Sequence, residues 1–246
     1  MKKNILLVAL ITILSLHSQS QTITHNNDIW FHGIEKLNFK NKYSITIEGT
    51  FRFANGFSEP QQLFIRPSFD YKFTKNFTGS VGYTYYNTYR YGLVPLNSTS
   101  IPEHHGWIQG QFTHKVKKWT IVNRLRDENR MVGVAVKNSS SIYEVDHFEY
   151  RNRLRYMFMA TYPLITKQGK PFINGFVGDE LFMNIGNFSG VSFLNQNRII
   201  AGFGFIVNPN LQFQLAYIHQ NIWNKSNTIE EINPTLRISV IHNLNF

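Results

Sequence analysis

The sequence predicts an all-β chain, a transmembrane up-and-down antiparallel barrel of about 10–12 strands behind a cleaved leader, and three observations predict it. Residues 1–21, MKKNILLVALITILSLHSQSQ, set two lysines before an apolar run from Ile5 to Leu16, followed by small residues at Ser18 and Ser20. That is the pattern of a secretory signal peptide, too short for a membrane anchor. Aromatic residues make up 15 % of the chain and charged residues only 16 %, where a soluble domain carries about a quarter charged. Beyond the leader the chain alternates polar and apolar residues in long runs, with no stretch approaching the roughly 18 apolar residues of a membrane helix. Residues 22–246 then form one domain, since no repeat, linker or low-complexity segment divides them.

Eleven strand-like segments follow in order. The first, 28–38, is DIWFHGIEKLN. In 43–53, Tyr43, Ile45, Ile47, Phe51 and Phe53 share one face, opposite Ser44, Thr46, Glu48, Thr50 and Arg52. Segment 61–73 places Phe64, Arg66 and Asp70 on the inner face and Tyr71 outside; 76–90 turns Tyr86 inward. Segment 105–116 precedes 118–131, where Arg124, Arg126, Glu128 and Arg130 oppose Trp119, Ile121 and Leu125. In 147–162, Glu149, Arg151, Arg153 and Arg155 alternate with Tyr150, Leu154 and Tyr156, with Met157 and Met159 continuing inward. Segment 171–183 turns Phe176 and Glu180 inward, and 196–207 does the same with Arg198. In 210–223, Leu211, Phe213, Leu215 and Tyr217 face out. The last, 234–246, aligns Leu236, Ile238, Val240, Leu244 and Phe246. Its terminal phenylalanine resembles the signal by which barrel-assembly machinery receives outer-membrane proteins, so Phe246 is the expected assembly signal.

The connections are unequal. KNK, TKN, VKK and NPN alternate with YGLVPLNSTSIPEH, VGVAVKNSSSIYEVD, NIGNFSGVSFLN and NKSNTIEEIN, short turns at one end and long loops at the other. With both ends of the chain on one side the strand number is even, so eleven segments leave two alternatives. Either 28–38 packs in the lumen or at the rim, leaving ten, or a strand is missed and there are twelve; twelve is slightly favoured.

An arginine facing mid-membrane lipid costs about 2–4 kcal/mol, so the arginine rows belong inside. A hairpin register pairing Arg130 with Glu149, Glu128 with Arg151, Arg126 with Arg153 and Arg124 with Arg155 leaves like charges opposed, which destabilises a sheet. The inward acids Glu48, Asp70 and Glu180 are outnumbered once Arg52, Arg66, Arg198 and Arg237 are added.

RLRDENR (124–130), YRNRLRY (150–156), GDELF (178–182) and the Asn197-Arg198 pair, in that order, resemble the DUF2490 family of outer-membrane barrels of Gram-negative bacteria. The resemblance spans most of the chain after the leader and places the family's charged positions on Arg124, Arg126, Glu128, Arg130, Arg151, Arg153, Glu180 and Arg198. It implies the cell outer membrane and the barrel, and no established activity.

Two functional classes remain. One is a barrel with an Arg/Glu ladder (Arg124, Arg126, Glu128, Arg130, Glu149, Arg151, Arg153, Arg155, Glu180, Arg198) lining a narrow lumen. It is either a closed structural barrel or a small porin-like channel favouring anions. The alternative is a lipid-modifying enzyme of acyl-hydrolase type, with His219 near the outer rim. It lacks a serine at the expected place, and Ser239 faces inward, so no catalytic residue is assigned and the chain reads as no enzyme. His104 and His105 beside Glu103 are weak metal evidence; no cofactor or metal is expected, and the absence of cysteine removes thiolate sites. The expected partners are outer-membrane lipids, lipopolysaccharide held by bases such as Lys137 and Lys225, barrel-assembly machinery, and small anionic solutes. The net charge of +10 does not imply nucleic acid, because an exported barrel meets none.

Overall fold

The computed structural model describes residues 21–40 and 42–246; the expected leader lies outside the described residues except for Gln21. The chain is one sheet of twelve strands: β1 (Thr22–His25), β2 (Asp28–Phe39), β3 (Tyr43–Ala54), β4 (Glu59–Lys72), β5 (Phe77–Thr88), β6 (Ile101–Val116), β7 (Trp119–Lys137), β8 (Tyr143–Lys167), β9 (Lys170–Ile185), β10 (Leu194–Asn208), β11 (Leu211–Trp223) and β12 (Ile229–Asn245). A short 3₁₀ turn, Asn187–Ser189, sits between β9 and β10.

Neighbours in sequence pair antiparallel from β2 to β12, and β12 returns to pair with β2 in parallel, closing the ring. β1 pairs β12 from Thr22↔Ile229 and β2 from Asp28↔Thr235, in the same register, so β1 and β2 are one wall strand interrupted at Asn26-Asn27. The wall therefore has eleven members. Both expected parities are corrected: 28–38 is neither a lumen segment nor one of twelve antiparallel strands. The even-number rule assumes that the first and last strands run in opposite directions. Here their alternations stay in phase over eleven paired positions, Asp28↔Thr235 to Asn38↔Asn245, which a parallel ladder accepts.

Period-two alternation sorts the side chains. Ile45, Ile65, Val81, Leu125, Phe203 and Leu215 project outward and are exposed, while Arg66, Arg126, Glu128, Glu180 and Gln220 point inward and are buried. Aromatic pairs crowd both rims. Tyr43–Tyr71, Trp119–Tyr162 and Phe39–Phe246 lie at the short-turn end, and Phe31–Phe57, His104–Phe148 and Tyr150–Phe188 at the long-loop end. An apolar belt between aromatic girdles is the exterior of a lipid-embedded barrel.

The β7–β8 hairpin departs from the sequence reading. Its expected fifteen-residue loop is mostly strand, and the connection shrinks to residues 138–142. Asn138 fixes the turn: its Oδ1 accepts from the backbone N–H of Ser140 and Ile142, each at 3.0 Å, and Ser141 takes φ 63°. A bulge at Val134/Ala135 absorbs the odd residue, and below it Arg130 faces Arg151, Glu128 faces Arg153, Arg126 faces Arg155 and Arg124 faces Met157. The expected register is thus wrong by two residues on β8. A two-residue slip leaves every side chain on its face, which is why alternation cannot detect it.

Candidate functional site

The corrected register opposes two arginine pairs across the hairpin, and the neutralising acids are Glu128 of β7 together with acids from elsewhere in the ring. Glu128, fully buried, accepts from Arg153 Nε (2.8 Å) and Nη2 (2.6 Å) through Oε2, and from Arg155 Nη1 (2.6 Å) through Oε1. Glu180 on β9 accepts from Arg155 Nη2 at 2.6 Å and from Arg124, while Arg198 Nη1 lies 3.7 Å away. Arg155 therefore bridges two carboxylates, and each carboxylate holds several arginines. Arg126 donates to Gln109 Oε1 through Nε (2.9 Å) and Nη2 (2.7 Å), with Glu128 3.8 Å from its Nη1. Arg130 donates to Glu103 at 2.6 Å, and Arg151 and Lys225 share Glu149 at 3.1 and 2.7 Å.

Aromatic rings complete the filling. The guanidinium of Arg126 lies 4.0 Å from the Trp107 ring, Arg155 4.3 Å from Phe182, and Arg52 3.8 Å from Trp30. Desolvated contacts of this kind are worth about 2 kcal/mol. Inward glycines make room for the rings: a Cβ on Gly82 would collide with the Trp107 indole, and one on Gly202 would stand 2.7 Å from the Phe176 ring. Trp107 Nε1 and Arg66 Nε both donate to Thr84 Oγ1, at 3.0 and 2.9 Å, and Arg66 Nη1 reaches Glu48 at 2.9 Å. The inward Phe64, Tyr86 and Phe176 are buried with them.

The ten ladder residues thus fall into three groups. Arg124, Arg126, Glu128, Arg153, Arg155, Glu180 and Arg198 form one network at mid-height; Arg130 joins Glu103 above it; Glu149 and Arg151 sit with Lys225 at the rim. Asp70, expected among the neutralising acids, instead accepts from Thr46 at 2.6 Å and lies 3.6 Å from Lys36. Phe246 is exposed at the short-turn rim, its ring stacked on Phe39 at 5.3 Å.

His219 lies on the outer wall, paired across the sheet with Ile199 and Pro234. Ser239 contacts a different histidine: its hydroxyl is 3.2 Å from His32 Nδ1, and His32 Nε2 is 3.0 Å from Glu48. A serine, a histidine and a glutamate in line suggest nucleophile activation, but Ser239 is fully buried. His104 and His105 point to opposite faces, His104 to Tyr83 and His105 to Glu103. No group able to hold a metal ion occurs among the described residues.

Above the network, on the long-loop side, a cavity of about 570 Å³ opens. The β5–β6 loop bends into it: Tyr91 is buried and donates its hydroxyl to Glu231 at 2.8 Å, and Gly92 N–H donates to Glu59 at 2.8 Å. Burial and the Glu231 carboxylate hold the Tyr91 phenol well above its usual pKa, so it keeps the proton it donates. Sequence reasoning missed Glu103, Asp28, Glu231, Trp30 and Trp107. Asp28, Trp30 and Trp107 lie inside expected segments on the inward phase, whereas Glu103 and Glu231 are reached only by extending Glu103-His105-Trp107 and Glu231-Asn233-Thr235 back past the starts at 105 and 234.

A porin crystallised in a rhombohedral form, NanC, is structurally similar at 8 % sequence identity and a TM-score of 0.48, covering 83 % of this chain and 93 % of that one. No curated protein matches the chain. A family model described as "Protein of unknown function (DUF2490)" matches residues 27–231, from the start of the wall strand β2 into β12. That span takes in the whole Arg/Glu network, and the chain belongs to the DUF2490 family.

Proposed function

We propose that this protein is an outer-membrane barrel of a Gram-negative cell, closed at mid-height by its own side chains and presenting a basic vestibule on the long-loop side. One observation carries the reading: Glu128, Arg155, Glu180 and Phe182, inward on the adjacent strands β7, β8 and β9, are each no more than 4 % exposed, and the Arg198 guanidinium joins the Phe182 ring to Trp30 of β2, at 4.7 and 5.0 Å. Eleven strands enclose an interior that side chains of this size can fill. The apolar belt, the two girdles and the leader-like residues 1–21 support the location.

Planar-bilayer recording of the refolded protein tests the closure. The expected result is a quiet membrane at concentrations where open porins give steady steps; an ohmic, anion-preferring conductance would establish the channel instead. Cysteine placed at Tyr71, Trp119 or Tyr150 is expected to resist a water-soluble thiol reagent in intact outer membranes, while cysteine at Ser140, in the β7–β8 turn, reacts. The reverse pattern would overturn the inside–outside assignment.

The reading contains no catalytic step. His219 has no hydroxyl opposite it on either neighbouring strand, and the serine bound to a histidine is sealed in the lumen.

A further inference from the structure

We propose that the vestibule is a binding site for a small organic dianion, a phosphate monoester or a dicarboxylate, held between Arg52 and Arg198. The proposal rests on the closed-barrel reading only in that the ligand is retained and not passed through.

The charge distribution of the cavity points there. Arg52, Arg130, Arg151, Arg153, Arg198 and Lys225 line it, with Glu103 as the lone carboxylate in the lining. Four of the six cations are answered at close range: Arg130 by Glu103, Arg153 by Glu128, Arg151 and Lys225 by Glu149. Arg52 and Arg198 are not. Arg52 is 8 % exposed, donates from Nη1 to Gln62 at 2.5 Å, keeps a buried Nε with no partner, and forms no ion pair among the described residues. Arg198 donates from Nε to Gln220 at 2.9 Å, and the one carboxylate near it, Glu180 at 3.7 Å, is already engaged by Arg124 and Arg155. Both guanidiniums stand on the same indole, 3.8 and 5.0 Å from the Trp30 ring centre.

Two like charges beside one ring in a poorly solvated interior repel strongly. A ligand with two negative charges removes that repulsion and takes up free guanidinium donors, which suit carboxylate and phosphate oxygens. Gln61, Gln62, Gln196 and Gln220 supply neutral hydrogen-bonding groups around the pair. Tyr86, Phe182, Ile222 and Trp223 give the same cavity apolar walls, so the site suits an anion with a carbon body better than a bare inorganic ion. Its volume of about 570 Å³ lies within the range of small-molecule sites.

Calorimetric titration of the refolded full-length barrel in detergent, with glycerol 3-phosphate and succinate as probes and glycerol and acetate as comparators, tests this. The dianions are expected to bind and the comparators to bind far more weakly or not at all. Arg52→Gln and Arg198→Gln should each weaken dianion binding roughly ten- to a hundredfold. Each should also abolish the rise in unfolding midpoint that glycerol 3-phosphate gives the wild-type barrel, whereas arginines serving only the fold would leave that rise in place. Arg52→Lys keeps the charge but neither the donor fork nor the stack on Trp30, and its affinity should fall between wild type and Arg52→Gln. Arg237→Gln, another inward arginine with an unpartnered Nε but outside the cavity lining, should leave binding unchanged. The proposal is overturned if neither dianion binds the wild-type protein, if binding survives both glutamine variants, or if Arg237→Gln abolishes it equally. Response only to phosphate-bearing lipid micelles would overturn the soluble ligand as well. A conducting barrel that still binds dianions through Arg52 would refute closure and leave the site standing, so the two readings fail separately.

Discussion

Glu128→Ala is expected to lower the urea midpoint of the barrel more than any other single change in the ladder. The side chain is fully buried and answers Arg153 and Arg155 at 2.6 Å each, with Arg126 3.8 Å away. Removing it leaves Arg153 without a carboxylate, takes one of the two that hold Arg155 and removes the acid nearest Arg126, all in a buried interior; breaking a buried ion pair from one side costs about 3–5 kcal/mol. In a water-filled pore the same change would cost about 1 kcal/mol or less, because screened pairs are worth little. Glu128→Gln keeps the shape and two polar atoms but not the charge, and should fall between wild type and alanine. Equilibrium unfolding in urea, followed by the heat-modifiable shift on gels, measures all three. A wild-type midpoint in both variants would show that the network is solvated and that the lumen is not closed there.

Gly82→Val is expected to be nearly as damaging, for a reason of space and not charge. A Cβ at this position overlaps the Trp107 indole and stands 2.8 Å from the Pro67 carbonyl oxygen, which cannot swing aside. Overpacking costs about 1–3 kcal/mol. Displacing Trp107 also breaks its 3.0 Å bond to Thr84 and removes the ring beneath Arg126, adding about 1 kcal/mol for the bond and about 2 for the stack. Gly106→Val is the control: nothing lies within 4 Å of its Cβ position, so its midpoint should stay close to wild type. Equal effects at both positions would mean that loss of glycine, and not the seat for Trp107, is what the barrel feels.

Alternation carried most of the fold. In β3 it assigned Tyr43, Ile45 and Ile47 outward and Ser44, Thr50 and Arg52 inward, as the structure has them. It could not supply register, because Arg151 and Arg153 sit on the same face of β8. Choosing Arg153 as the partner of Glu128 required the turn at Asn138 and the bulge at Val134/Ala135, neither of which changes the pattern of faces. Closure was invisible for a related reason. The parallel pairing of β2 with β12 joins residues 207 positions apart, and only the strand direction distinguishes it from the antiparallel seam assumed from an even count. The ladder residues could be read as inward, but their partners Glu103 and Glu180 come from other strands. Of the ladder's acids, the hairpin itself supplies only Glu128 and Glu149.

The parallel seam has a consequence for how the molecule can be handled. In a barrel with an even wall the first and last strands finish side by side, and a short linker can splice them so that the chain is reopened at another turn. Here the wall strand that begins at Thr22 starts at the long-loop rim, while β12 finishes at the opposite one, and the 17 residues of β12 separate the two. At about 3.3 Å per residue that is roughly 55 Å along the strand. A splice of that length would have to cross the bilayer along the lipid face or thread a lumen already occupied by Trp30, Phe182 and the arginines. The strand order is therefore locked against circular permutation, and in the membrane placement proposed above reporter groups at Thr22 and Asn245 would be addressed from opposite sides.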